Sequence, residues 1–326
     1  MPQKIKVLPI AAESLGVRSM CTYIETPNIR VLLDAGASLC PNRFRLPPHP
    51  REFEAIIEVR GKIAEFAQKA DVVTISHYHF DHHTPSFEDW ICNWTDAETA
   101  RQIYREKLVL AKSYRVDVNA SQRRRGWVFE KTGGKYAKKV EFTDGKNFSF
   151  GKTRLRFSRP VFHGSPNTPI GWVLMTTIEH EDERVLFSPD VQGPMDEVAL
   201  KIILAEKPQL LIIGGPPLYL AGFRVDDLQI QRGLKNLETL AKTIPVVIVE
   251  HHLLRDVEWR KSAKQIFKSA RDFGNKVVTA AEFLGEENRL LEAERKQLFK
   301  DNPPSSGFEK WSRLPELKQR KTKPPL

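Results

Sequence analysis

A layered α/β sandwich is the fold class that this 326-residue chain predicts. Strand-like segments fill its first third, helix and strand alternate through its last third, and both ends contribute sheet. Its composition, 40% hydrophobic and 28% charged, is ordinary for a globular protein and leaves disordered, collagenous and coiled-coil classes aside. Length alone admits two domains, but α/β sandwiches of this size fold as one unit, so 1–300 reads as a single domain.

The elements follow in order. Lys4–Ile10 alternates, Met20–Glu25 is extended, and Arg30–Asp34 is an apolar run ending in a carboxylate, with Gly36 just beyond. Asn28 marks the turn between the last two, which puts Tyr23 and Val31 on one hairpin. A proline-rich loop, Leu46–Pro50, precedes Glu52–Gln68, whose apolar residues recur at three-and-four spacing as in an amphipathic helix. Val72–Ile75 is a short buried strand. From about 90 to 140 the pattern degrades: a helical signal over Ala97–Ala111 gives way to a basic stretch, read as a helical insertion with a mobile loop. Strands resume at Asn147–Phe150, Arg154–Ser158, Gly171–Ile178 and Arg184–Phe187. Helix and strand then alternate through Glu197–Glu206, Gln209–Ile213, Asp226–Thr243, Val246–Val249, Val257–Phe273, Lys276–Val278 and Ala280–Lys300. Asp301–Leu326 is polar with two Pro-Pro pairs and reads as an extended tail.

Several classes drop out early. No run approaches the roughly 18 apolar residues of a membrane span, and the apolar stretch at Met1–Ile10 is too short for a secretory signal. Three cysteines, Cys21, Cys40 and Cys92, form neither a disulfide framework nor a Cys-x-x-Cys metal site, so a reducing cytoplasmic setting is the expectation. Fifty-one basic against 41 acidic residues leave a net charge of +10, which permits an anionic partner without proving one.

One motif decides the chemistry. Four of the nine histidines fall within His77-Tyr-His79-Phe-Asp81-His82-His83. Residues two apart at a strand end point the same way, so His77 and His79 can grip one ion, and the turn lets Asp81 and His82 face a second. Imidazole with carboxylate suits zinc, with iron or manganese as alternatives; the bland alternative is a solvated histidine-rich loop. Three further candidates follow strand-like runs: His163 after Arg154–Val161, Asp190 after Val185–Pro189, and His251 after Val246–Glu250. Open α/β folds place their sites at such strand ends.

In this order the residues resemble the metallo-β-lactamase superfamily along nearly the whole body, from about Lys4 to Val278. Asp34, in Leu-Leu-Asp-Ala-Gly, matches the first motif, whose carboxylate braces the site without ligating. His77, His79, Asp81 and His82 match the second, His163 the third, Asp190 the fourth and His251 the fifth. The resemblance implies a four-layer αβ/βα sandwich with its site at one edge between two sheets. It also implies His77, His79 and His163 on one metal, Asp81, His82 and His251 on another, and Asp190 bridging. Asn42–Pro50, Gly214–Leu220 and Glu250–Asp256 look like an archaeal branch of that superfamily, for which the resemblance supplies no substrate.

Two positions stay open. His251-His-Leu-Leu-Arg255 is similar to the His-x-x-x-Arg of tRNase Z-like members, which favours His251 as the ligand and leaves His252 behind it or facing substrate; the reverse remains an alternative. Strand alternation of Val247 and Val249 extends to His251 and points the same way. His83 is read as a hydrogen-bonding neighbour, or more sharply as a proton donor beside the catalytic carboxylates Asp81 and Asp190.

Within the superfamily, flavodiiron oxidoreductases carry a glutamate where His79 stands, and capped nucleases need more than the sixty residues between Asp190 and His251. Hydrolysis by a hydroxide between two divalent ions is therefore the leading reaction. The basic stretch Ser121–Lys139 holds Arg123, Arg124, Arg125 and four lysines, interleaved with Trp127, Phe129 and Tyr136, as nucleic-acid surfaces are; a solvated charged face is the competing reading. Tyr219 and Arg255 face either substrate or packing. A phosphodiester in nucleic acid or a nucleotide is the expected substrate. A thioester or lactone hydrolase, or a non-catalytic metal-stabilised nucleic-acid-binding module, is the alternative; oligomeric state is left open.

Overall fold

The computed structural model describes residues 2–326. Two mixed sheets face each other. Strands β1 (Lys6–Pro9), β2 (Thr22–Glu25), β3 (Arg30–Leu33), β4 (Val72–Ile75), β5 (Leu108–Ala111) and β6 (Lys139–Phe142) form the first in sequence order. Its leading strands are an antiparallel meander, with Tyr23 opposite Leu32 and Ile24 opposite Val31; β3 to β6 are parallel. The chain then crosses to β7 (Asn147–Phe150) and β8 (Thr153–Phe157), makes a short ribbon of β9 (Val161–Phe162) and β10 (Trp172–Val173), and continues through β11 (Thr176–His180), β12 (Glu183–Ser188), β13 (Leu210–Gly214), β14 (Val246–Glu250) and β15 (Lys276–Val278). The second sheet runs β15-β14-β13-β12-β11-β8-β7, parallel from β12 to β15 and antiparallel beyond. Each sheet is thus half meander and half parallel.

Helices cover the outer faces because parallel strands need crossovers and are buried on both sides. Helix α1 (Pro50–Lys69) joins β3 to β4, α2 (Ala97–Tyr104) joins β4 to β5, and α3 (Ala120–Lys131) joins β5 to β6. Helices α4 (Glu197–Glu206), α5 (Asp227–Thr243), α6 (Trp259–Ser262) and α7 (Lys264–Asp272) do the same for the second sheet. Short helices α8 (Ala280–Leu284), α9 (Arg295–Asp301), α10 (Ser306–Ser312) and α11 (Glu316–Lys321) close the chain. Among these, α1 starts at Pro50 behind a His49–Glu52 capping box and buries Phe53, Ile56, Val59, Ile63 and Ala67 against the first sheet.

Strand alternation separates the layers. Leu210, Ile212, Val246 and Ile248 join Ile24, Val31, Leu33, Val185 and Phe187 in the core between the sheets. Their neighbours Leu211, Ile213, Val247 and Val249 pack outward with Ala199, Ile203, Leu237 and Leu240 of α4 and α5. This is the four-layer αβ/βα sandwich expected from the sequence.

Four local expectations change. The helical signal over Ala97–Ala111 splits, because α2 ends at Tyr104, Glu106 takes a left-handed φ of 61°, and the apolar run 108–111 becomes a central strand. The stretch 90–140 is therefore no insertion: it supplies two of the six strands of the first sheet. Its basic part is ordered as α3, held by Asn119 and Gln122 to the backbone of Pro169, Ile170 and Trp172. The segment 301–326 is likewise no extended tail. Phe308 and Trp311 on α10 are buried, with ring centroids 5.9 and 5.6 Å from Phe53; apolar burial outweighs the polar surroundings. Among the described residues no helix is long and apolar enough to cross a membrane.

Candidate metal centre

Every predicted site carboxylate and imidazole except that of His83 arrives at one edge of the sandwich, where the parallel strands end. Asp34 follows β3, His77 to His82 follow β4, His163 follows β9, Asp190 follows β12, and His251 and His252 follow β14. The turns are tight. Asp34, Asp190 and His251 take left-handed φ values of 47°, 51° and 66°, backbone that non-glycine residues adopt at a cost and mostly where function demands it. A Cβ at Gly36 would stand 2.3 Å from the backbone nitrogen of His83, so only glycine lets the Asp34 turn pass under the histidine loop.

Asp190 is the hub. Its Oδ2 lies 3.2 Å from His77 Nε2, 3.1 Å from His82 Nε2 and 3.0 Å from His163 Nε2; its Oδ1 lies 3.2 Å from His251 Nε2 and 3.3 Å from His252 Nε2. His79 completes a cluster with His77, His163 and Asp190, and Asp81 completes another with His82 and His251, each with ligand atoms within 4.8 Å of one another. His77 Nε2, His163 Nε2, His252 Nε2 and Asp190 Oδ1 are buried and have no hydrogen-bond partner. Buried polar atoms left so cost about 1–3 kcal/mol each, and divalent metal among them would satisfy them. The donors fit a metal, and the His/Asp cluster can hold one.

The backs of these rings are braced as ligand rings are. Asp34 accepts from His82 Nδ1 at 2.8 Å and from the Ser76 amide at 2.7 Å, while Ser76 Oγ lies 3.0 Å from His77 Nδ1. Asp34 thus contacts the back of the His82 ring and the backbone that leads into the histidine loop. Burial, followed by neighbouring imidazoles, pushes His77 and His79 well below the usual histidine range. Burial opposes the charge of Asp81 and Asp190, but the surrounding histidines outweigh it and hold both carboxyls well below theirs.

The fifth strand end departs from expectation. Val247 and Val249 face the outer helices, so continued alternation would carry His251 away from the site. It turns inward only because the strand stops at Glu250 and His251 enters a helical turn, His251–Arg255, through its left-handed φ. The turn brings His252 in as well, and both imidazoles reach Asp190. Arg255 is buried, bonded to Glu13 at 2.5 Å, with its Nη2 3.2 Å from His251 Nε2, and its Nη1 and Tyr219 Oη lie 3.0 and 3.2 Å from His252 Nδ1. Both residues support these rings.

His83 is not in the cluster. Its ring sits among Tyr78, Phe80 and Phe129, and Nδ1 donates to the His79 carbonyl at 3.0 Å. Burial pushes its pKa down to about 3, so the ring stays neutral.

The cluster opens into a cavity of about 420 Å³ rimmed by Arg18, Arg125, Arg255 and Arg320. Arg18 pairs with Glu292, Arg255 with Glu13, and Arg320 with Asp89 and Glu316. Arg125, 4.3 Å over the Phe80 ring, has no carboxylate partner among the described residues. Of the three consecutive arginines only Arg125 faces this cavity; Arg123 and Arg124 are exposed. Sequence reasoning missed Glu13, Arg18 and Arg320, which no spacing links to the motif.

No family model matches the chain. Among solved structures it is similar to the metallo-β-lactamase fold protein YhfI of Bacillus subtilis, with 14% identity, a TM-score of 0.49, and coverage of 87% of this chain and 97% of that one. A metal-dependent hydrolase of the β-lactamase superfamily gives 14% and 0.46 over 84% of this chain and 95% of its own. Sequence relatives are far nearer. The UPF0282 protein of Methanopyrus kandleri is 45% identical over 294 residues, covering 90% of this chain and 99% of the relative. That of Pyrobaculum arsenaticum is 40% identical over 303 residues, 93% of this chain and 96% of the relative. With archaeal relatives this similar end to end, the chain belongs to the UPF0282 family.

Proposed function

We propose that the chain is a binuclear metal-dependent hydrolase acting on a phosphodiester. The observation that carries this is the convergence of unpartnered buried ligand atoms on Asp190 at the floor of an open, arginine-rimmed cavity. Purely structural zinc is usually closed by four protein ligands; here Asp81 and His79 line the open side. His77, His79, His163 and Asp190 would hold one ion, and Asp81 and His82 with a histidine of the pair 251–252 would hold the other. When bound, the ions polarise the phosphoryl oxygen and lower the pKa of the attacking water. Arg125 meets the substrate's negative charge, because it is the rim cation without an internal partner. Asp81, on the cavity side and held ionised by the surrounding histidines, would orient the attacking water by accepting its hydrogen bond. Arg255, Glu13 and Tyr219 keep the paired histidines aimed.

The test is metal analysis with a substrate panel. Protein reconstituted with zinc, iron or manganese should bind close to two ions per chain, since the candidate ligands exceed what one tetrahedral ion can use. It should hydrolyse bis(p-nitrophenyl) phosphate at least about 10-fold better in kcat/KM than a thioester or a lactone, a margin of about 1.4 kcal/mol. A preparation that retains no metal sinks the binuclear reading. Faster thioester or lactone turnover moves the chemistry to acyl transfer and leaves the centre intact.

A further inference from the structure

A second cavity lies against the first. It encloses about 460 Å³ between α3 and the loop that follows the histidine motif, within the 300–1,000 Å³ typical of small-ligand sites. Phe80, Phe87, Val128 and Phe129 supply its apolar walls, and Arg124 and Arg125 its charge. Phe80 and Arg125 line both cavities, so the pocket and the metal cluster share one wall. Three features suggest that this is a built pocket. Phe87 stands partly exposed at its mouth, edge to face with Phe80 at 5.2 Å, so the two rings extend the apolar wall to the opening. Neither Arg124 nor Arg125 has a carboxylate partner among the described residues, although most arginines near the site do. And α3 is fixed rather than loosely applied: a Cβ at Gly126 would stand 2.4 Å from Tyr114 Cβ and 2.7 Å from the Tyr78 ring, so glycine lets the helix seat closely there.

We propose that this cavity receives an aromatic ring joined to the phosphoryl group that lies at the metal cluster, making it the specificity pocket of the enzyme. This rests on the phosphodiesterase reading above. The ring, an aryl group or a nucleobase, stacks against the phenylalanines and the guanidinium planes. Arg125, at the shared wall, holds the charge that links the two halves of the ligand. A thioester or lactone would offer Arg125 no anion, so the same pocket deepens the preference for phosphate.

The pocket is tested by binding, apart from turnover. Calorimetric titration of the zinc-loaded protein with phenylphosphonate and with methylphosphonate compares two anions that engage metal and arginine alike and differ only in the ring. Phenylphosphonate should bind at least about 10-fold more tightly. Val128→Trp, which fills the pocket, should erase that ratio and leave methylphosphonate affinity and metal content unchanged. Phe87→Ala, a surface change that spares the core, should reduce the ratio even if the bulkier variant fails to fold. Arg125→Gln should weaken both phosphonates, phenylphosphonate the more, because it loses a stacking surface as well as a charge. Equal binding of the two by the wild type, or a ratio that survives Phe87→Ala, overturns the pocket. Turnover of bis(p-nitrophenyl) phosphate without any aryl preference overturns the pocket alone. Aryl-selective binding without turnover of any diester overturns the hydrolase reading alone.

Discussion

The floor of the cavity and its α3 wall solve opposite problems. On the floor nearly every charged group has an internal answer: Asp34 with His82, Glu13 with Arg255, Asp190 with five imidazoles. The atoms left over are lone pairs aimed at one another. On α3, Arg123, Arg124 and Arg125 have no carboxylate within ion-pair distance among the described residues, and the side chains around them are aromatic. A buried site must settle its charges before a ligand arrives, because an unpaired ion in the interior is costly. A wall open to water can leave cations waiting for substrate, since solvent screens them meanwhile. The floor is settled internally around a cluster that could hold metal, and the wall keeps its cations open to solvent.

Breaking the floor should therefore give the largest effect. Asp190→Ala removes the one carboxylate that touches both ligand groups. Bound metal should fall below one ion per chain by elemental analysis, and diester turnover should drop on the order of 10³-fold or more, since the ions supply several kcal/mol of transition-state stabilisation. Circular dichroism should still report a folded chain, because the three apolar clusters do not depend on the Asp190 carboxylate. Turnover within 10-fold of wild type would show that the ions do not depend on this hub.

Much of that floor was legible beforehand because its chemistry is compressed: four imidazoles and a carboxylate between His77 and His83 declare a metal loop without any fold. Asp190 and His163 were readable as polar residues that end apolar strands. The pair 251–252 was not, because the choice depends on where the strand stops. Val246–Val249 reads as a continuous run, and nothing in it reveals that His251 will leave extended geometry. Glu13 and Arg18 meet partners more than 200 residues away, Arg255 and Glu292, a relation that only the closed sandwich creates. The terminal segment misled through its two Pro-Pro pairs; the useful signal was Phe308 and Trp311, three apart on one helical face. In the same way the strands at 108–111 and 139–142 were hidden, one by a helical pattern running into it and the other by flanking lysines.

The paired histidines offer a sharper, smaller test of how the floor is completed. His251 Nε2 faces Asp81 and His82, whereas His252 Nε2 is the unpartnered atom. Since both reach Asp190 at nearly the same distance, His251→Ala and His252→Ala should each weaken metal binding by at least about 10-fold, the scale of losing one well-oriented group around a metal. Competition with a metal-sensitive dye would measure it. Loss confined to one variant would identify a single ligand and leave the other ring as its support.

The smallest effect belongs to the outer face of the wall, and it separates a nucleic acid from a nucleotide as substrate. Arg123 points away from both the metal cavity and the aromatic pocket, beside the exposed Trp127. Arg123→Gln should leave hydrolysis of bis(p-nitrophenyl) phosphate within about twofold, as distant surface charges usually do. A small phosphodiester cannot extend that far. A single strand whose backbone continues along α3 can, with bases stacking on Trp127. For such a strand each lost phosphate contact lowers the slope of log affinity against log salt by about 1. A shallower slope for RNA or single-stranded DNA in Arg123→Gln would therefore carry the substrate past the pocket and across the helix. An unchanged slope would confine the ligand to the two cavities and make Arg123 a solvated charge.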